Sequence, residues 1–149
     1  MSAGDRAPTI VVGYDGSPTA RAALDYARRR AGAGGTVFVV HAFELPGELL
    51  GFPNYDRLLE ERQRQGQALL AEVEADADPR QLETELVGGP PAEAIARVAR
   101  VRGADEIVVG ARGVSRARAL LGSVSSELLH VADRPVVVIP AASIAEPAP

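Results

Sequence analysis

The sequence predicts an α/β fold: a single doubly wound domain on a five-stranded parallel sheet, with helices on both faces. Three observations carry that reading. Short apolar, β-branched runs alternate with stretches of helical periodicity along the whole chain, the pattern of βαβ units with right-handed crossovers. Two of the runs, Val37-Phe38-Val39-Val40 and Val136-Val137-Val138-Ile139, are apolar at every position, as parallel strands covered from both sides require. Glycine, proline and small polar residues cluster at the transitions between the two patterns.

Each element has its own justification. Thr9–Val12 is apolar and β-branched, and Asp15-Gly16-Ser17-Pro18 then supplies a turn, a cap and a proline for the first helical position. The following helix puts Ala20, Ala23, Leu24 and Ala27 on one face, and the glycines between Gly32 and Gly35 stop it. Its closing Arg28-Arg29-Arg30 complements the negative end of the helix dipole. Thr36–Val40 is the second strand, and Glu44 to Asn54 reads as a long loop. A second helix is expected from about Asp56 to Ala77, with Leu59, Leu70 and Val73 turned inward. Gln81–Val87 alternates Leu82, Thr84 and Leu86 with polar residues, as a half-exposed strand does. Gly88-Gly89-Pro90-Pro91 turns into a third helix bearing Ile95, Val98 and Ala99, and Ile107–Val109 is the fourth strand. Val124, Leu128, Val131 and Ala132 have helical spacing, and Pro135–Ile139 is the fifth strand. The core is expected within residues 8–140, with flexible tails at 1–7 and 141–149.

Composition removes much chemistry. A chain of 149 residues, 46% hydrophobic and 24% charged, is sized and mixed like one globular domain. There is no cysteine, which excludes disulfides, thiolate nucleophiles and cysteine-held metals. All 16 basic residues are arginine, so there is no Schiff-base lysine and no P-loop lysine. His41 and His130 are the only imidazoles. A net charge of −4 argues against general nucleic-acid binding. No apolar run approaches the ~20 residues of a membrane span, and the N-terminus lacks a signal-peptide core. A cytoplasmic protein is expected.

The most informative stretch runs Gly110-Ala111-Arg112-Gly113-Val114-Ser115-Arg116-Ala117-Arg118-Ala119-Leu120-Leu121-Gly122-Ser123. It follows a strand and opens a helix. Gly110, Gly113 and Gly122 leave backbone N–H groups approachable, Arg112, Arg116 and Arg118 add charge, and a helix N-terminus favours an anion. Those glycines also suit a tight turn, and Gly122-Ser123 also suits a linker and N-cap. In position, the whole pattern reads as a phosphate cradle. The other loops at that sheet edge contribute Asp15, which can accept from a ribose or cap the next helix, and Ala42, whose backbone can pair with an adenine edge. Gly88-Gly89-Pro90 is backbone-permissive at the same edge. His41 reads as a partly buried strand-end residue rather than a base.

Residues 8–140 resemble the universal stress protein family. The resemblance rests on Ile10-Val11-Val12-Gly13-Tyr14-Asp15-Gly16-Ser17, on Val87-Gly88-Gly89-Pro90, and on Gly110-x-x-Gly113 with Gly122-Ser123. Eight residues, Val114 to Leu121, separate the last two glycines, one fewer than the family's usual nine. The resemblance implies a strand order of 3-2-1-4-5 and a homodimer joined through Pro135–Ile139. It also implies an adenine nucleotide, ATP with Mg²⁺, held by Asp15, Ala42, Gly88, Gly110, Arg112, Gly113, Gly122, Ser123, Val124 and Ser125. No metal-ligating side chains and no catalytic residue are expected, and any hydrolysis should be slow. A non-nucleotide interaction module of the same family is the alternative. An adenylating or pyrophosphatase enzyme is disfavoured, since neither an SGGxDS loop nor an HxGH motif occurs.

Overall fold

Local chemistry sets where each element begins and ends. The computed structural model describes residues 6–47, 51, 53–111 and 121–141. In it β1 is Thr9–Gly13, α1 Pro18–Ala31, β2 Thr36–Phe43, α2 Asn54–Ala75, β3 Leu82–Gly88, α3 Pro91–Arg102, β4 Glu106–Gly110, α4 Ser123–Val131 and β5 Val136–Ile139. Ser17 caps α1 by accepting from the Ala20 N–H at 3.2 Å, with Pro18 directly behind it. Gly32, at φ 64°, ends the helix and returns its N–H to the Arg28 carbonyl. Gly103, at φ 62°, ends α3 the same way.

The strands pair in parallel in the order β3-β2-β1-β4-β5. Side chains alternate between the two layers. Ile10 and Val12 of β1 join Ala23 and Ala27 of α1 and Leu70 and Val73 of α2. Val11 faces the opposite way, with Ile95, Val98 and Ala99 of α3 and Leu128 of α4. β1 is central and its three apolar residues are fully buried, whereas every residue of the edge strand β5 is half-buried. Arg134, just before β5, fastens that strand to the end of α3: its Nη1 donates at 2.7 Å to the carbonyls of both Ala99 and Ala104. The same guanidinium, hydrogen-bonded to Asp133, holds that carboxyl below the usual carboxylate range.

Most strand bounds differ from the sequence reading by a single residue, at β1, β3, β4 and β5, and larger differences occur at β2 and α2. β2 continues past Val40 because β3 keeps pairing with it through His41↔Leu86, Ala42↔Val87 and Phe43↔Gly88; backbone pairing overrides the break in apolar character. α2 starts at Asn54 rather than Asp56 and ends at Ala75 rather than Ala77, and Leu59 is only half-buried while Leu70 and Val73 are buried. Arg6, in the expected tail, forms an exposed ion pair with Asp105 at 2.7 Å. The remainder of the expected tails, 1–5 and 142–149, lies outside the described residues, apart from Ala7 and Ala141.

Leu128 is 0% exposed at the centre of the α3/α4 layer. Leu128→Ala is expected to lower unfolding free energy by about 2–5 kcal/mol, the cost of a core cavity. Urea denaturation measures it, and a loss under about 1 kcal/mol would contradict this packing.

Candidate functional site

β1 lies between β2 and β4, so the chain leaves the sheet in opposite directions on either side of its carboxyl end. A cleft of about 220 Å³ opens there, where doubly wound sheets hold ligands. Of the residues expected to form a site, Asp15, Ala42, Gly110, Gly122, Ser123, Val124 and Ser125 all line it. Gly88 is not among the described lining. It ends β3, where a Cβ would lie 3.0 Å from Phe43 Cζ and 3.1 Å from Leu45 Cδ2. Gly89, at φ +122°, makes the turn into α3 and donates to the Phe43 carbonyl at 3.0 Å. Arg112 and Gly113, with Arg116 and Arg118, lie outside the described residues.

The two walls of the cleft differ in polarity. α4 begins at Ser123 after Gly122, whose φ −67° and ψ 166° are those of an extended N-cap, with no side-chain cap and no acid in the first turn. Its first N–H groups and the positive end of its dipole therefore present donors. Ser125, 1% exposed, spends its hydroxyl proton on the Gly122 carbonyl at 3.0 Å and fixes that turn from below. Across the cleft, Asp15 is exposed, and its Oδ1 accepts the Ser17 N–H at 2.9 Å. Asp15 thus shapes an Asx-type turn while Ser17 does the capping. That wall presents acceptors.

Tyr14, 8% exposed, and His41 also line the cleft; the sequence reading sets His41 aside as a strand-end residue and does not single out Tyr14. His41 Nδ1 lies 2.8 Å from the Tyr14 carbonyl. A carbonyl can only accept, so Nδ1 carries the proton and, in the neutral ring, Nε2 is the acceptor. α2 approaches this ring at Gly66, where a Cβ would fall 2.9 Å from His41 Cδ2 and 2.5 Å from Leu86 Cδ1. A glycine, Gly66, inside a long helical pattern is the sequence signal for that close approach.

Gly110 has a second physical role. A Cβ there would stand 2.5 Å from the Thr19 carbonyl carbon and 2.6 Å from Thr19 Oγ1. The missing side chain admits the first turn of α1 against the end of β4. Among the described residues no group of three His, Asp or Glu could hold a metal, and no helix is long and apolar enough to cross a membrane.

A one-domain doubly wound α/β protein with an open crevice at its strand-order reversal is a ligand-binding architecture. The chain belongs to the universal stress protein family, whose profile matches residues 7–140. It is 36% identical over 133 residues to the Thermus aquaticus protein described as the universal stress protein in QAH/OAS sulfhydrylase 3'region, covering 88% of this chain and 97% of that one. A solved structure from the universal stress protein family of Burkholderia pseudomallei is similar at 30% identity and TM-score 0.72, covering 93% of this chain and 99% of that one. The universal stress protein from Archaeoglobus fulgidus in complex with dAMP is similar at 27% identity and TM-score 0.54, covering 89% and 97%.

Because the space a Gly110 side chain would need is filled by backbone, Gly110→Ala is expected to destabilise the protein without any ligand, by about 1–3 kcal/mol. Thermal denaturation of the ligand-free variant measures this; an unchanged midpoint would return Gly110 to a purely ligand-facing role.

Proposed function

We propose that this chain is an adenine-nucleotide-binding regulatory module whose ligand is ATP carried with Mg²⁺. One observation carries the reading: a single cleft at the strand-order reversal sets an uncapped helix N-terminus opposite an exposed carboxylate. The amides of Ser123, Val124 and Ser125 suit phosphate oxygens, and Asp15 suits the hydroxyls of a sugar. Between them the extended backbone at Ala42 offers the paired donor and acceptor that an adenine edge needs. The dAMP complex of the Archaeoglobus fulgidus relative supports the same ligand class. Magnesium usually binds through one or two carboxylates plus substrate phosphates rather than in an all-protein cage. With no ligand cluster among the described residues, the ion would come on the nucleotide.

The cleft is built for holding rather than for turnover. Phosphoryl transfer to water needs an aligned nucleophile and stabilisation of charge at the γ-phosphate. Asp15 and His41, the acid and the imidazole lining the cleft, sit in this reading beside the sugar and the Tyr14 carbonyl rather than at the γ-phosphate. Hydrolysis is therefore expected to be slow.

Isothermal titration with Mg·ATP, paired with thermal melting, tests the reading. Saturable binding and a midpoint that rises with ligand are expected, with about 2.7 kcal/mol of stabilisation at a hundredfold excess over Kd. Neither heat nor shift at millimolar Mg·ATP would leave a non-nucleotide interaction module as the better reading.

The module is proposed to work as a homodimer. β5 is an apolar edge strand with all four residues half-buried, and such an edge invites pairing. A two-fold axis would set it antiparallel to its own copy, with Pro135 and Pro140, which donate no N–H, limiting the ladder. Sedimentation at micromolar concentration is expected to show a dimer that Val137→Lys weakens. A monomeric wild type would reject the assembly, and an unaffected variant would place it elsewhere.

A further inference from the structure

We infer that Thr19 is a positioning residue for the cleft: its buried hydroxyl dictates which way the Ser17 hydroxyl points its proton, and so makes Ser17 read sugar hydroxyls. This deepens the nucleotide reading and rests on it. Thr19 is 1% exposed, on the apolar face of α1 that also carries Ala20, Ala23 and Ala27. A hydroxyl there must be satisfied, because burying one unpaired is costly.

Its partners settle the direction of every proton in a short chain. Thr19 Oγ1 donates to the Ala111 carbonyl, which can only accept. Thr19 has one proton, so the 3.3 Å contact between Ser17 Oγ and Thr19 Oγ1 must be donated by Ser17. Ser17 Oγ in turn accepts the Ala20 N–H at 3.2 Å. The relay therefore runs Ala20 N–H to Ser17, Ser17 to Thr19, and Thr19 to the Ala111 carbonyl, each bond polarising the next.

Two consequences reach the cleft, which Ser17, Thr19 and Ala111 all line. Ser17 has spent its only proton away from the ligand and can offer it only a lone pair. Beside the Asp15 carboxylate, that makes the α1 wall one of acceptors, matched to the hydroxyls of a ribose and mismatched to phosphate. Ala111, the first residue after β4, is also held twice. Its N–H donates to the Ile139 carbonyl at 2.8 Å while its own carbonyl takes the Thr19 proton.

The test compares ATP with 2′,3′-dideoxyATP, both with magnesium, in calorimetric titrations of wild type, Thr19→Val and Thr19→Ser. Valine keeps the shape and removes the relay; serine keeps the relay. Wild type is expected to prefer ATP about tenfold, Thr19→Val about threefold or less, and Thr19→Ser as wild type does. A loss of packing alone would weaken both nucleotides equally and leave the ratio unchanged. An unchanged ratio in Thr19→Val, or a wild type that does not distinguish the two nucleotides, overturns the inference while the nucleotide reading stands. Should Thr19→Val fail to fold, Ser17→Ala removes the reading atom itself and must narrow the ratio the same way; a retained preference overturns the inference. If wild type binds neither nucleotide, the nucleotide reading fails and carries this inference with it.

Discussion

The position of β1 between two parallel partners is the constraint on which the rest of the molecule depends. Its residues pair with Thr36–Val40 on one side and Glu106–Val108 on the other. Once β1 is central, α1 and α3 must pack on opposite faces, and the carboxyl end of the sheet is left open between them. Both flanking helices come close to that opening. A side chain at Gly13 would stand 2.6 Å from Ile95 Cδ1 of α3, and one at Gly110 would strike Thr19 of α1. The glycines at the ends of β1 and β4 thus keep the helices tight against the strands that frame the cleft.

From this frame follows a cleft with sides of opposite hydrogen-bonding character. Donors come from a helix end, where they are a property of backbone and need no particular residue. Acceptors come from side-chain oxygens, from Ser17, whose proton goes to Thr19, and from Asp15, which already accepts the Ser17 N–H. Among the described residues that polarity is set by the fold itself, before any ligand arrives. A nucleotide, with hydroxyls in its middle and anionic oxygens at one end, matches that division.

Much of the fold was legible because local signals and tertiary demands agreed. The Ser17-Pro18 cap, the glycine stop at Gly32 and the alternation of apolar runs with helical spacing each named an element. Where they disagreed, pairing won: His41 interrupts an apolar run, yet β2 passes through it because β3 continues alongside. The candidate site was legible through its glycines and through Asp15, but their physical roles were not. Gly110 lines the cleft, as its place in the sequence suggests, and its missing side chain also makes room for α1. Gly88 ends β3 at that same edge, where an added side chain would meet Phe43 and Leu45. Thr19 and Tyr14 were missed because their importance lies in partners distant along the chain, the carbonyl of Ala111 and the ring of His41. A hydroxyl on an otherwise apolar helix face was the one sequence signal for Thr19.

The central claim is that a nucleotide lies across the end of β1, phosphates toward α4 and sugar toward Asp15. Amide chemical-shift mapping during titration with Mg·ATP tests it residue by residue. The account predicts the largest shifts at Tyr14 to Ser17, at His41 and Ala42, and at Ser123 to Ser125, with those of α4 much reduced when adenosine replaces ATP. Shifts gathered at the opposite edge of the sheet, around Gly32 and Gln81, or shifts in α4 that adenosine reproduces in full, would contradict it.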